Sequence, residues 1–393
     1  MSAYTRYAAV ALLAALAVGC TASHPGSHPV PRPGSGPASG PGSHAHAGAP
    51  VAPDAGVRPF TLVASGEIIA SPPDVLATAQ DDAPHDGYDY RPMLKGVRPV
   101  ISAADLALCH LGAPFGPVNG PFTGYPVLQT PPQLATALKS TGYDSCATAS
   151  RHALDQGVPG VHRTLEVLDT VGLRHSGSAR DATEGARPVL LRVPGGARVA
   201  QLAYTGGTAA AWRPAYAPWT VRRIDEKRII ADARAARRAG ADVVVVSPYW
   251  GTEYRTAPDA RQIASARALT ASTTGGRPDI DLIVGTGAHT PQPYEKVNGT
   301  WVVYGLGDQI SGAMKKPRGN WGSIARFRFA PPDGAGARWR VTRAEYLPQL
   351  AEQKPRVRMR TLVRNGGHGR IRKKIGKAVL SRGAAADGLT LGR

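Results

Sequence analysis

The sequence predicts an α/β domain built on a mostly parallel or mixed sheet, and three observations carry that expectation. Asp242 to Tyr254 sets four consecutive valines between a helix-like segment and a run of polar, aromatic and glycine residues. A strand buried on both faces and running out into a loop has this pattern. Asp281-Leu-Ile-Val-Gly285, followed by Thr286 to Gln292, repeats it. Strand-like and helix-like segments alternate around both stretches, as a sheet with crossover helices requires. Loops after the strands of such sheets line a crevice that the helices leave open. If the two stretches share a sheet, Glu253, His289 and Gln292 face one crevice.

Taken in order, Phe60 to Ser65 and Asp105 to Cys109 read as strands, and Gln133 to Thr141 as a helix opened by Pro131 and Pro132. Asp144 to Thr148 is a short strand and Val161 to Val171 a helix. Val189 to Val193 and Arg198 to Tyr204 are strands joined by Pro194-Gly-Gly196. The helix Asp225 to Ala239 leads through Gly240 into the strand Val243 to Val246. Pro258 to Ser272 is helical, while Ile280 to Val284 and Trp301 to Tyr304 are strands. Ser323 to Phe329 and Trp339 to Tyr346 alternate like antiparallel strands about a turn at Asp333-Gly334.

The 393 residues, 42% of them hydrophobic, suffice for a large core. Residues 1–20 stand outside it: Arg6 precedes the apolar run Ala8 to Val18, which is too short to cross a bilayer as a helix. Ala17-Val-Gly-Cys20 resembles a bacterial lipobox, which implies cleavage before a lipidated Cys20 and an exported protein held at the outer face of the cell membrane. Residues 21–57, rich in Pro, Gly, Ser and His, are expected to be a disordered tether, with His24, His28, His44 and His46 as solvated spacer. The folded domain is expected over residues 58–350. Cys109 and Cys146 each sit near a predicted strand end and read either as a disulfide or as two buried thiols.

Residues 351–393 stand apart as a basic tail. Lys354 to Arg382 holds 11 Lys and Arg and no acid, over half of the net charge of +19. Ile371, Ile375 and Val379 fall on one helical face there. That suits either an anionic lipid or wall polymer, or packing on the domain itself. Nucleic acid is a poor partner for a chain that starts with an export signal.

Six loops follow the strands in order: Gly66-Glu67, Cys109-His-Leu-Gly112, Ala149-Ser-Arg-His152, Tyr249-Trp-Gly-Thr-Glu253, Gly285-Thr-Gly-Ala-His-Thr-Pro-Gln292 and Tyr304-Gly-Leu-Gly-Asp308. The series resembles the capsule synthesis protein family called CapA, linked to poly-γ-glutamate, whose domain is similar to the calcineurin-like metallophosphatases. The resemblance covers roughly Phe60 to Leu347 and implies a metallophosphatase-type sandwich of mixed central sheets flanked by helices. In the family pattern, carboxylate, amide and imidazole ligands hold two divalent ions roughly 3.5–4 Å apart, which activate a water.

This chain departs from that pattern. Where the resemblance implies Asp, Glu, Asn and His, it has Glu67, Gly112, Arg151 and Tyr249, and an adjacent pair of His is replaced by Thr286 and Gly287. His110, His152, Glu253, His289, Gln292 and Asp308 remain. A two-ion site is therefore expected to be lost. Glu67, His110 and His289 are left as a remnant that holds no ion, or a single Mn, Fe or Zn. Arg151 is expected in the ions' place, within reach of Glu67 or Glu253. His152 reads as a general acid, as the resemblance implies, or as a histidine bonded to the helix after it. Asp308 reads as a turn residue.

The function expected from this is a membrane-tethered, non-catalytic binder of an anionic cell-surface polymer. Arg151, Tyr249, Trp250, Glu253, Gln292 and the basic tail are its contacts. The alternative is a metal-dependent hydrolase or transferase acting on a γ-linked peptide or phosphoester with fewer ligands. A third reading makes the domain a scaffold for capsule synthase partners.

Overall fold

The computed structural model describes residues 57–209, 214–334, 337–362 and 367–393. The expected lipidation at Cys20 and the tether up to residue 56 lie outside the described residues. No described helix is long and apolar enough to cross a membrane.

Two mixed sheets lie face to face, with helices on their outer sides. In the first, β1 (Phe60–Ile68) is central. β2 (Leu106–Leu111), β3 (Ser145–Ala147) and β4 (Arg174–Ser176) follow on one side, all parallel. On the other side come β14 (Trp321–Ala330), β15 (Arg340–Glu352) and β16 (Arg358–Thr361), each antiparallel to its neighbour. β13 (Asp308–Ile310) joins the C-terminal end of β1, and β17 (Leu389–Leu391) runs parallel to β15.

The second sheet runs β5 (Val189–Arg192), β6 (Arg198–Thr205), β7 (Val243–Tyr249), β10 (Leu282–Val284), β12 (Thr300–Val303), β11 (Tyr294–Val297). Its four inner strands are parallel and its two edges antiparallel. A small hairpin, β8 (Thr273–Thr274) and β9 (Arg277–Pro278), stands apart.

The valine run of β7 is explained by this layering. Val243 and Val245 point between the sheets, packing with Leu62, Leu108, Leu282 and Phe327. Val244 and Val246 point outward under the helices Glu226–Arg238 and Ala260–Ala271, against Ile229, Ala233, Ala266 and Leu269. Both faces are dry, so alternation disappears from the sequence. The first of those helices is capped by Asp225, whose side chain accepts from the Arg228 amide; the second carries a reciprocal Asp259–Gln262 cap.

Cys109 and Cys146 are directly opposed on β2 and β3 and form a disulfide, with Cα atoms 4.4 Å apart. The two-way reading of these cysteines thus resolves to the bonded form.

The expected boundary at residue 350 falls inside β15, and the basic segment beyond it is not a separate tail. β16 and β17 rejoin the first sheet, and the helix Gly369–Val379 packs Ile375 and Val379 into the inter-sheet core. Its apolar face is used up inside the domain. Lys373 and Lys377 remain exposed, and Lys374 lies over the Trp321 ring.

Candidate functional site

The crevice is built where β1, β7 and β10 end. At the end of β1 the chain passes so close to β13 that a Cβ at Gly66 would lie 2.0 Å from the Gly307 carbonyl oxygen, so only glycine fits. Register then sets Glu67 opposite both Asp308 and His110. The loop after β10 turns through Gly287 and His289 at positive φ, which aims the His289 ring back at β1.

Three buried side chains meet there. His289 Nδ1 stands 3.1 Å and 3.3 Å from the two carboxylate oxygens of Asp308 and 3.4 Å from Glu67 Oε2. That Glu67 oxygen has no hydrogen-bond partner. The three groups offer ligand atoms all within 4.8 Å of one another.

Their electrostatics follow from one imidazole serving two buried carboxylates. Burial opposes charge on His289, but Asp308 and Glu67 overcome it and raise its pKa to about 10. Burial lifts Glu67 to about 7, against the pull of His289 and a hydrogen bond from Tyr249. Asp308 is raised by burial and held back by His289. The imidazolium lies nearer Asp308, so Glu67 is the carboxyl that keeps a proton near neutrality.

Beside this cluster, His152 Nδ1 is bonded to Asp155 Oδ2 at 2.7 Å, and Asp155 is fixed in turn by the Leu128 amide. The His152 ring is thereby oriented with Nε2 as its remaining nitrogen. Asp155 was not foreseen as its orienting partner.

Several expected contacts are not formed. His110 is buried and fully engaged, Nδ1 with the Thr286 hydroxyl and Nε2 with the Ala149 carbonyl, and burial lowers its pKa to about 4. Among the described residues it is not grouped with Glu67 and His289 within ligand distance. Asp308, read as a turn residue, takes its place in the cluster.

Arg151 does not enter the ions' place. It is exposed, and it forms no ion pair with Glu67 or Glu253 among the described residues. The reason is economical: His289 already supplies the positive charge between the carboxylates, and burying a guanidinium as well carries a large desolvation cost. Glu253 is exposed too.

Gln292 is fully buried and holds the loop before the helix Ala260–Ala271, through the Arg255 and Ala257 carbonyls and Gln262. Trp250 donates from its ring to the Tyr304 carbonyl and packs in the outer core. Tyr249 and Trp250, both largely buried, border a groove of about 500 Å³ whose rim carries Arg151, Arg261, Glu226 and Asp259.

Among the described residues, Glu67, His289 and Asp308 are the group of acidic and imidazole side chains brought within ligand distance of one another. Gly112 stands where the resemblance implies a carboxylate, and a Cβ there would meet Glu67 Oε1 at 2.7 Å and the Ile68 carbonyl oxygen at 2.8 Å. The longer Glu67 side chain fills that space. His110 is engaged by Thr286 and the Ala149 carbonyl, and the donor set gathered here is two carboxylates and one imidazole.

Residues 61–313 match the family described as bacterial capsule synthesis protein PGA_cap, well over half of the chain. The chain belongs to this family. A PGA biosynthesis protein, CapA, of Bacillus subtilis is 30% identical over 183 residues, 47% of this chain and 46% of that protein. A probable polyglutamine synthesis accessory protein of Mycobacterium tuberculosis is 28% identical over 190 residues, 46% of this chain and 48% of its own length. The aligned part is thus about half the length of these relatives. Among solved structures, a calcineurin-like phosphoesterase of Bacillus subtilis aligns over 75% of this chain and 91% of its own, at 14% identity and a TM-score of 0.41. A putative 5′-nucleotidase of Staphylococcus aureus aligns over 81% and 58%, at 14% identity and a TM-score of 0.45.

Proposed function

We propose that this member of the capsule synthesis family is an accessory protein that binds an acidic, poly-γ-glutamate-type polymer at the outer face of the membrane, without two-ion hydrolysis. The observation that carries the reading is the closed cluster of Glu67, His289 and Asp308. An internal imidazolium sits between the carboxylates, and Glu67 fills the space over Gly112. The named relatives supply the polymer, as proteins of PGA biosynthesis and polyglutamine synthesis. The groove beside the cluster offers the exposed Arg151 and Arg261 to carboxylates, while Glu226 and Asp259, which also line it, are engaged by Ser265 and by the helix cap.

Binding of poly-γ-glutamate to the purified chain tests this. Arg151→Glu with Arg261→Glu should weaken it about tenfold or more; unchanged binding by a folded double variant overturns the role of the groove. Membrane tethering through Cys20 belongs to the same proposal, and Cys20→Ala should release the protein from the membrane fraction. Capsule synthase partners, if the domain acts as their scaffold, should co-purify with wild type and be retained by the groove variant.

A second reading is favoured by one specific observation, the unpartnered Oε2 of Glu67 facing His289 and Asp308. These three residues would hold a single divalent ion, which would supply a polarised water beside the oriented His152. Elemental analysis decides: stoichiometric Mn, Fe or Zn lost in His289→Ala supports it, and metal-free wild type after growth in supplemented medium removes it.

A further inference from the structure

A second cleft, of about 700 Å³, has a lining of its own. It lies where the first sheet ends at β4 and the second at β5, and none of its lining residues is shared with the Arg151 groove. The sandwich is incompletely closed along this edge, so the cleft reaches inward to the inter-sheet face of β6. The short helix Ala182–Ala186 forms part of its wall.

Its floor and its mouth carry different chemistry. On the floor is Gln201, fully buried, whose Oε1 accepts from Ser145 Oγ at 2.6 Å while its Nε2 has no partner. Buried amide donors are nearly always satisfied, so one left open on a cavity wall is a place for a ligand acceptor. The mouth is cationic. Arg180 is spent on Asp169 and Glu184, Arg222 on Asp232, and Asp181 caps the short helix. Arg174 and Arg187 are exposed, and neither forms an ion pair among the described residues. The four arginines of the lining exceed its acids, Asp169, Asp181 and Glu184, by one, and the two guanidinium groups without an ion pair sit at the rim, above a donor at the bottom.

We propose that this edge cleft is a second binding site, for an acidic amide-linked chain, with carboxylates at Arg174 and Arg187 and a backbone carbonyl on the amide of Gln201. The ligand needs both features. A bare anion would leave the floor donor open, and a neutral peptide would leave the guanidinium groups without a counter-charge. The choice of ligand rests on the acidic-polymer reading above; the site itself rests on the cleft. A protein with two clefts that each present exposed arginines can hold one polymer at two points, and so more tightly than either alone.

The test is calorimetric titration of the full chain with a γ-linked glutamate oligomer of about ten residues, long enough to fill one cleft, and with the same oligomer amidated on its free carboxylates. Two binding events are expected for the acidic oligomer and none for the amidated one. Arg174→Glu with Arg187→Glu should abolish one event, or weaken it at least about tenfold, with the melting temperature unchanged. Gln201→Met, which keeps length and removes the donor, should weaken the same event. Arg151→Glu with Arg261→Glu should leave that event intact and remove the other. If the cleft double variant binds with wild-type affinity and stoichiometry, the second site is wrong whatever the groove variant does. If only the groove variant is unaffected, the groove reading fails and the cleft stands. Equal binding of the amidated oligomer overturns the carboxylate requirement.

Discussion

Glu67, His289 and Asp308 make the fold sensitive to alkali in a way that a single residue controls. His289 titrates at about 10 when folded against 6.5 ordinarily, so its stabilisation is complete below pH 6.5 and is lost as pH rises through 10. Glu67, raised from 4.5 to about 7, loses stability in the same direction between those values. His110, lowered to about 4, acts oppositely, costing stability as pH falls below 6.5, so the two largely offset one another in that lower range. Urea unfolding should therefore show wild type losing on the order of a few kcal/mol between about pH 6.5 and 10. His289→Gln should lose much less over the same span, and parallel pH profiles for the two would disprove the assignment. At Gly112, where a side chain would collide with Glu67 and with the Ile68 carbonyl, Gly112→Ala should cost ~1–3 kcal/mol, read as a lowered denaturation midpoint. The sequence made Glu67 and His289 legible as partners. It hid Asp308, because an acid after Gly305-Leu-Gly307 has the composition of a turn. It also misled over Arg151, since no residue pattern reveals that an imidazole has already taken the place between two carboxylates.

Long elements were legible because both of their faces speak in the sequence. The helices Gln133–Thr141 and Glu226–Arg238 and the strands β6 and β7 lie close to where periodicity and valine content put them. β4, β13 and β17 were not foreseen: three residues are too few to display a period of two, and the equally short β3 and β10 were legible only from the longer stretches Asp144 to Thr148 and Ile280 to Val284 around them. The helix Gly369–Val379 shows where amphipathicity alone stops: its apolar face was compatible with a membrane or with the domain, and contacts decide for the domain. Ile375→Ala should then cost ~2–4 kcal/mol of stability by thermal unfolding, as a core truncation does. A helix laid on lipid would instead lose vesicle binding at unchanged melting temperature.

At the scale of the whole molecule, ten of the eleven basic residues of Lys354–Arg382 lie among the described residues, in a segment that rejoins the domain and does not trail from it. On the proposed reading, attraction to an acidic polymer belongs to the field as well as to the two clefts. Affinity for poly-γ-glutamate should fall at least about tenfold from roughly 50 to 300 mM salt, whereas an interaction dominated by buried hydrophobic contact would hardly change. The sandwich of two mixed sheets was legible from the order of strands and loops; the edge cleft was not, because it arises where two sheets fail to meet.

One consequence concerns biogenesis. Phe60 and Leu389 lie in the same inter-sheet cluster, and Val379 joins them. The interior cannot close while a ribosome still holds back the residues around Leu389, so early segments must wait, unpaired, for late ones. A protein knitted together in this way is committed to maturing after its synthesis has passed Leu389, and whatever shelters the waiting segments bears on how much of it survives.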